Sequence, residues 1–144
     1  MATYYSDLVT AGVPAKTGIE KVTQIGKLTI GTALVANDIL QMVPVPRGAK
    51  ITDISIQASG SLGSTLTAEI GDGSLTNRFQ SAAAFGQGAA GLNRMTAGSA
   101  GTALGYQYTV NDTVDIKIAT AAAGTTGQTV TCVVEYIMGD ISAF

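Results

Sequence analysis

The residues that could do chemistry in this chain are few. Asp72 stands between Gly71 and Gly73, Asp112 and Asp115 lie three positions apart, and Cys132 is the single cysteine. A carboxylate in a Gly-Asp-Gly turn suits a phosphate cradle or a calcium loop. Two nearby acids suit proton exchange, and a thiol can act as nucleophile or metal ligand. Each of these chemistries needs company. A phosphate loop needs a following helix with its Lys and hydroxyl, and none follows Gly73. A calcium loop needs carboxylates at alternate positions, and Asp72 stands alone. Asp72 therefore reads as a tight turn in which the Asp caps its own backbone. Asn111-Asp112 is turn chemistry, and Asp115 reads as an outward-facing, solvated residue beside Lys117. Asp38 and Asp53 have no spacing that favours shared work.

Composition removes the remaining partners. The chain of 144 residues has no His and no Trp, and its net charge is −2 from 8 basic and 10 acidic side chains. Without His, the commonest general base and the commonest zinc ligand are missing. The serines have no base, and no Ser-x-x-Lys pair is present. One cysteine excludes an intramolecular disulfide. Cys132 alternates with Val130 and Val134 and reads as a small buried hydrophobe. With 12% charged residues there is no basic field to hold a nucleic-acid backbone. Apolar runs fall far short of the roughly 20 residues that span a bilayer. The start of the chain lacks the basic-then-apolar pattern of a secretory signal. No enzyme, cofactor, metal, nucleic-acid or membrane role is expected; a structural or binding role leads.

The elements that must position these residues are strands. Of the 46% hydrophobic residues, 21 are Ala, and 19 Thr and 18 Gly accompany them. Such a mixture favours short strands, tight turns and sparsely charged surfaces that lie against other protein. Eight strands are expected, over 22–30, 39–45, 50–58, 65–70, 77–85, 103–110, 113–120 and 129–138. In the third, Ile54 and Ile56 are expected to face one way with Thr52, and Ile51, Asp53 and Ser55 the other. In the fourth, Leu66, Ala68 and Ile70 point inward. Pro44 and Pro46 place the end of the second strand at an edge or exit. Tyr106, Tyr108 and Tyr136 read as core or sheet-face residues. The last two strands read as an antiparallel hairpin about the 123–127 turn. The sum is an all-β antiparallel sandwich whose strand count is that of a jelly roll, in one domain over 22–144.

Two stretches fall outside any period. Residues 1–21 read as an extended arm in which Tyr4, Tyr5, Leu8 and Val9 are candidate partner anchors. A Gly/Ala-rich loop over 86–101 carries Arg94 and Met95 as candidate contacts.

Three passages carry a family resemblance. They are Tyr4-Tyr5-Ser6-Asp7-Leu8-Val9; the run from Asn37-Asp38-Ile39-Leu40 through Pro44-Val45-Pro46-Arg47-Gly48-Ala49 to Lys50-Ile51; and Leu66-Thr67-Ala68-Glu69-Ile70-Gly71-Asp72-Gly73. In these the chain resembles the small capsid decoration (cement) proteins of tailed bacteriophages. The similarity is diffuse, spans most of the chain and includes no catalytic signature. It implies a β-sandwich, often a jelly roll, made in the host cytoplasm. It also implies placement on the capsid exterior, where the protein forms homo-oligomers (dimer or trimer) and bridges major capsid protein subunits. Two rivals stand beside it: a tail, baseplate or fibre sandwich, and a carbohydrate-binding module, for which five Tyr and no Trp are a poor supply.

Overall fold

A computed structural model describes residues 1–12, 21–87, 92–94 and 105–138 of the chain. Strand β1 (Thr3–Tyr5) and a short helix α1 (Asp7–Ala11) precede β2 (Lys21–Thr29), β3 (Ile39–Val45) and β4 (Ala49–Ala58). Then come β5 (Thr67–Asp72), β6 (Gln80–Ala84), β7 (Leu92–Arg94), β8 (Asp112–Thr120) and β9 (Thr129–Met138). They form two sheets, ordered β1-β3-β8-β5-β6 and β2-β9-β4-β7. From β2 onward the chain alternates between sheets at every step except the β5–β6 hairpin. Eight strands in that order are a jelly roll, with β1 added to the edge of one sheet.

The alternation read in the sequence supplies the core. Leu40, Ile70, Ile116 and Ile118 from one sheet face Ile54, Ile56, Val130, Cys132, Val134 and Tyr136 from the other, all fully buried. Each contributes on the order of 1.5–3 kcal/mol by leaving water. Cys132 is the expected buried hydrophobe, and burial pushes its thiol pKa up, away from reactivity. Pro44 lies past the stretch of β3 that β1 covers, so its missing N–H disturbs no ladder on that side.

Several expectations need correction. Ile51 does not oppose Ile54 and Ile56; all three are buried. The register shifts between Ile51 and Asp53, leaving Thr52 as an extra residue whose hydroxyl donates to the Glu135 carbonyl at 3.1 Å. That bulge switches the inward parity within one strand. The two last strands are not a hairpin: β8 pairs with β3 and β5, whereas β9 pairs with β2 and β4. Residues 121–128 therefore cross between sheets. Within 103–110, described from residue 105, no full strand forms; residues 105–108 join 48–51 through backbone hydrogen bonds at Gly48, Ala49 and Ile51 and an isolated bridge, Lys50 to Gln107. The eighth strand is instead β7, in the segment expected to be a loop.

Residues 1–12 also differ from a free extended arm. Thr3–Tyr5 runs parallel to Ile39–Gln41. Asp38, fully buried, fixes its start, accepting from the Ala2 N–H at 2.8 Å and the Val35 N–H at 2.9 Å. Ser6 is buried as the N-cap of α1; its hydroxyl donates to the Met42 carbonyl and accepts from the Val9 N–H at 3.2 Å. Asp7 accepts from the Lys27 N–H at 2.9 Å, tying the helix to β2. Opposite, Gly26 is required, because a Cβ there would collide with the Met42 carbonyl. The segment thus closes the seam where β2 and β3 approach each other. Residues 13–20 of the expected arm lie outside the described residues.

Candidate partner-contact surface

The largest concentration of polar chemistry is at Asp72, the last residue of β5. Its carboxylate is fully buried and acts as a hub. Oδ1 accepts from the Ser74 N–H at 3.0 Å, the Ser74 hydroxyl at 2.9 Å and the Leu75 N–H at 2.8 Å. Oδ2 accepts from the Arg78 Nε–H and, at 3.1 Å, from the Tyr108 hydroxyl. The Arg78 guanidinium also lies 3.8 Å from the Tyr106 ring centroid, and that ring meets Tyr108 edge-on at 5.0 Å. Burial would raise the Asp72 pKa, but the hydrogen bonds from Arg78, Leu75 and Ser74 and the Arg78 charge outweigh it. The carboxyl is held below its usual range. Tyr108 is pushed the other way, by burial and then by the Asp72 charge. The turn-capping role expected of Asp72 is present, with an ion pair added. Every oxygen is committed, so this is a structural clamp joining the 72–78 turn to residues 106–108.

Asp115 behaves differently from its expected solvated state. It lies in the middle of β8 with 4% of its surface exposed. Its cross-strand partners are Gln41 and Gly71. A Cβ at Gly71 would collide with the carbonyls of Leu75 and Thr76, so the 72–78 turn folds back over the sheet at that point. The turn is held there by the Asp72 clamp and by the Thr76 hydroxyl, which donates to Glu69 at 2.8 Å. Covered in this way, Asp115 accepts one hydrogen bond, from the Thr113 hydroxyl at 2.6 Å. Burial, with the charges of Asp112 and Asp72 adding to it against the Thr113 bond, pushes its pKa up to about 7.

The anchors expected from the sequence divide. Tyr4 and Leu8 are half-buried and pack against the core. Val9 is partly exposed on α1, and Tyr5 is 57% exposed on β1. Arg94 falls in β7, but its side chain and the whole of Met95 lie outside the described residues. Two further exposed apolar side chains, Met1 and Val35, flank the Asp38 carboxylate at the start of β1. The edge of the five-stranded sheet thus carries Met1, Tyr5 and Val35. Leu75 and Val35 went unread in the sequence, and Asp115 read as solvated where the structure covers it. The signal available for Asp115 was an acid directly between Val114 and Ile116 in a strand.

Among the described residues, no group of three or more His, Cys, Asp or Glu could hold a metal ion. An open groove of ≈ 250 Å³ is lined by Gln57, Ala58, Ser59, Thr129 and Thr131, with no titratable group.

No family model matches the chain, and no curated protein sequence is similar to it. The fold has solved counterparts. A chain in the capsid of Ralstonia phage GP4 superposes with a TM-score of 0.76, at 20% identity, covering 95% of this chain and 98% of its own. A chain of the cyanophage Pam1 capsid asymmetric unit superposes with a TM-score of 0.68 at 20% identity, covering 87% and 89%. One from the capsid of Helicobacter pylori bacteriophage KHP30 gives a TM-score of 0.53 at 16% identity, covering 83% and 93%. At these identities the fold is what is shared.

Proposed function

We propose that this chain is a structural, non-catalytic component of a bacteriophage virion. In this reading it binds the outside of the capsid and stabilises it by bridging major capsid protein subunits, itself associating as a homo-oligomer. The observation that carries the reading is the end-to-end likeness to a chain of the Ralstonia phage GP4 capsid, which leaves little of either chain unmatched. The polar chemistry agrees: Asp72 is committed to the fold and Cys132 is buried, and three of the six exposed large apolar side chains among the described residues, Met1, Tyr5 and Val35, lie toward the β1 edge. Repetition around a shell multiplies weak contacts through effective concentration.

The contact surface offered is the β1 edge with Tyr5 at its centre. A deletion of residues 2–12 would remove β1 and the buried Ser6 and so report on folding. Tyr5→Ala is the cleaner variant. The experiment mixes the wild-type protein with purified heads lacking it and follows co-sedimentation and the temperature of head disruption. Saturable binding and a higher disruption temperature are expected, with Tyr5→Ala binding at least tenfold more weakly. Absence of any binding by the wild type would overturn the proposal.

A further inference from the structure

One row crosses the outer face of the five-stranded sheet: Tyr5 on β1, Gln41 on β3, Asp115 on β8 and Gly71 on β5. Residues paired across strands share a face, so Tyr5 and Asp115 look the same way, about 10 Å apart at two strand spacings. Beyond Gly71 the row ends under the turn that carries Leu75, 42% exposed. Two exposed apolar side chains therefore flank a buried acid.

Among the described residues the acid has no opposite charge of its own. From β8 itself come Asp112, which accepts from the Gly73 and Thr113 N–H groups, and Lys117, whose ammonium lies 3.8 Å from Glu69. From β5 come that same Glu69 and Asp72. The 72–78 turn supplies Arg78, paired with Asp72; β3 supplies the uncharged Gln41, and β1 the Tyr5 phenol. The two nearby cations each pair with another carboxylate, and Asp112 and Asp72 repel a charge on Asp115.

One oxygen remains open. Thr113 takes Oδ1, and no hydrogen bond from a described residue reaches Oδ2. Yet no buried side-chain oxygen among the described residues lacks a hydrogen-bond partner. Oδ2 is therefore the atom through which Asp115 meets solvent.

We propose that Asp115 receives a basic side chain, a guanidinium or an ammonium, from the protein surface this chain docks against, with Tyr5 and Leu75 forming the apolar rim. The inference rests on the reading of the chain as a shell-binding protein and names what its partner must present. Charge complementarity selects the occupant. An apolar or acidic group placed over Oδ2 would strip its last solvent without replacement, which is costly for a carboxylate. A cation supplies the missing counter-charge, and the surrounding rim keeps water out, as at the centre of strong interfaces.

The contact has a signature. Asp115 must be ionised to hold the cation, and its pKa near 7 leaves it largely protonated at pH 6. Affinity should rise about tenfold from pH 6 to pH 8, one decade for each unit below the pKa. The experiment measures binding of wild-type, Asp115→Asn and Lys21→Gln proteins to purified heads at pH 6, 7 and 8, with thermal melts to verify folding. The expected result is a wild-type affinity that rises with pH and an Asp115→Asn affinity at least tenfold weaker at pH 8 and flat with pH. Lys21→Gln, on the opposite sheet, should follow the wild type. Wild-type binding that Asp115→Asn matches at every pH overturns this inference alone. No wild-type binding at any pH overturns the shell-binding reading and this inference with it.

Discussion

Asp72 and Asp115 lie on neighbouring strands of one sheet, and both are almost wholly buried, but their surroundings drive them in opposite directions. Asp72 collects six hydrogen bonds, from Ser74, Leu75, Arg78 and Tyr108, and remains an anion. Asp115 collects one, from Thr113, and its proton is held to about pH 7. Burial is common to both; the donor inventory separates them. The first carboxylate belongs to the fold, because nothing further can be bonded to it. The second is incomplete among the described residues, and it is this incompleteness that the proposed contact would satisfy.

The sharpest way to break the comparison is at the completed site. Asp72→Ala leaves Arg78 with its counter-charge removed and the Ser74 and Leu75 N–H groups without their acceptor. Removing one partner of a buried ion pair costs about 3–5 kcal/mol. The urea midpoint of the variant should fall accordingly, and hydrogen exchange in the 72–78 turn should accelerate. A loss under about 1 kcal/mol would mean that the clamp is a surface pair of the ordinary weak kind.

The incomplete site should respond to pH with the opposite sign. The folded pKa of Asp115, about 7, lies above its ordinary 3.8, so the folded state binds the extra proton between those values. Stability from this group is therefore greatest at the acid end and declines as pH rises from about 4 to 7, then levels. The full decline is on the order of 2–4 kcal/mol at most. Asp72 works the other way: its pKa is lowered, so its contribution is present above 3.8 and is lost as pH falls through the folded value. Asp115→Asn keeps the shape without the charge. Urea midpoints at pH 5, 6, 7 and 8 should slope downward for the wild type and lie flat for the variant. Equal slopes would show that Asp115 ionises without penalty.

This contrast also explains what the sequence could and could not disclose. Period-two alternation is local, so β3, β5, β8 and β9 were legible to within two residues, and the strand count pointed to the jelly roll. Features made by distant chain were not. The 72–78 turn covers the outer face because Gly71 leaves room for the Leu75 and Thr76 carbonyls and the Thr76 hydroxyl reaches Glu69, so Asp115, beside Lys117, read as solvated. Arg78 finds Asp72 and Tyr106 across a separation that no spacing rule spans. The Thr52 bulge and the pairing of β7 are set by their partner strands. Likewise, the first twelve residues show no periodicity because single contacts hold them, at Asp38, Ser6 and Asp7. Tyr5 and Asp115 were both singled out in the sequence; the covering of the acid by the 72–78 turn was not legible there.

The smallest perturbation separates the two carboxylates by counting donors one at a time. Thr113→Val removes the single hydroxyl that Asp115 accepts from while keeping the β-branched shape on the strand. A lone hydrogen bond to a carboxylate contributes about 1–2 kcal/mol, and here it favours only the ionised form. The Asp115 midpoint, followed by the chemical shift of its carboxyl carbon, should therefore move upward from about 7. Below that midpoint the variant should be nearly as stable as the wild type, because a neutral acid needs the bond least. Above it the two should diverge, with the variant the weaker. The same substitution should leave Asp72 untouched, since none of its donors comes from Thr113. A midpoint that stays in place would assign the depressed ionisation of Asp115 wholly to burial and to its acidic neighbours.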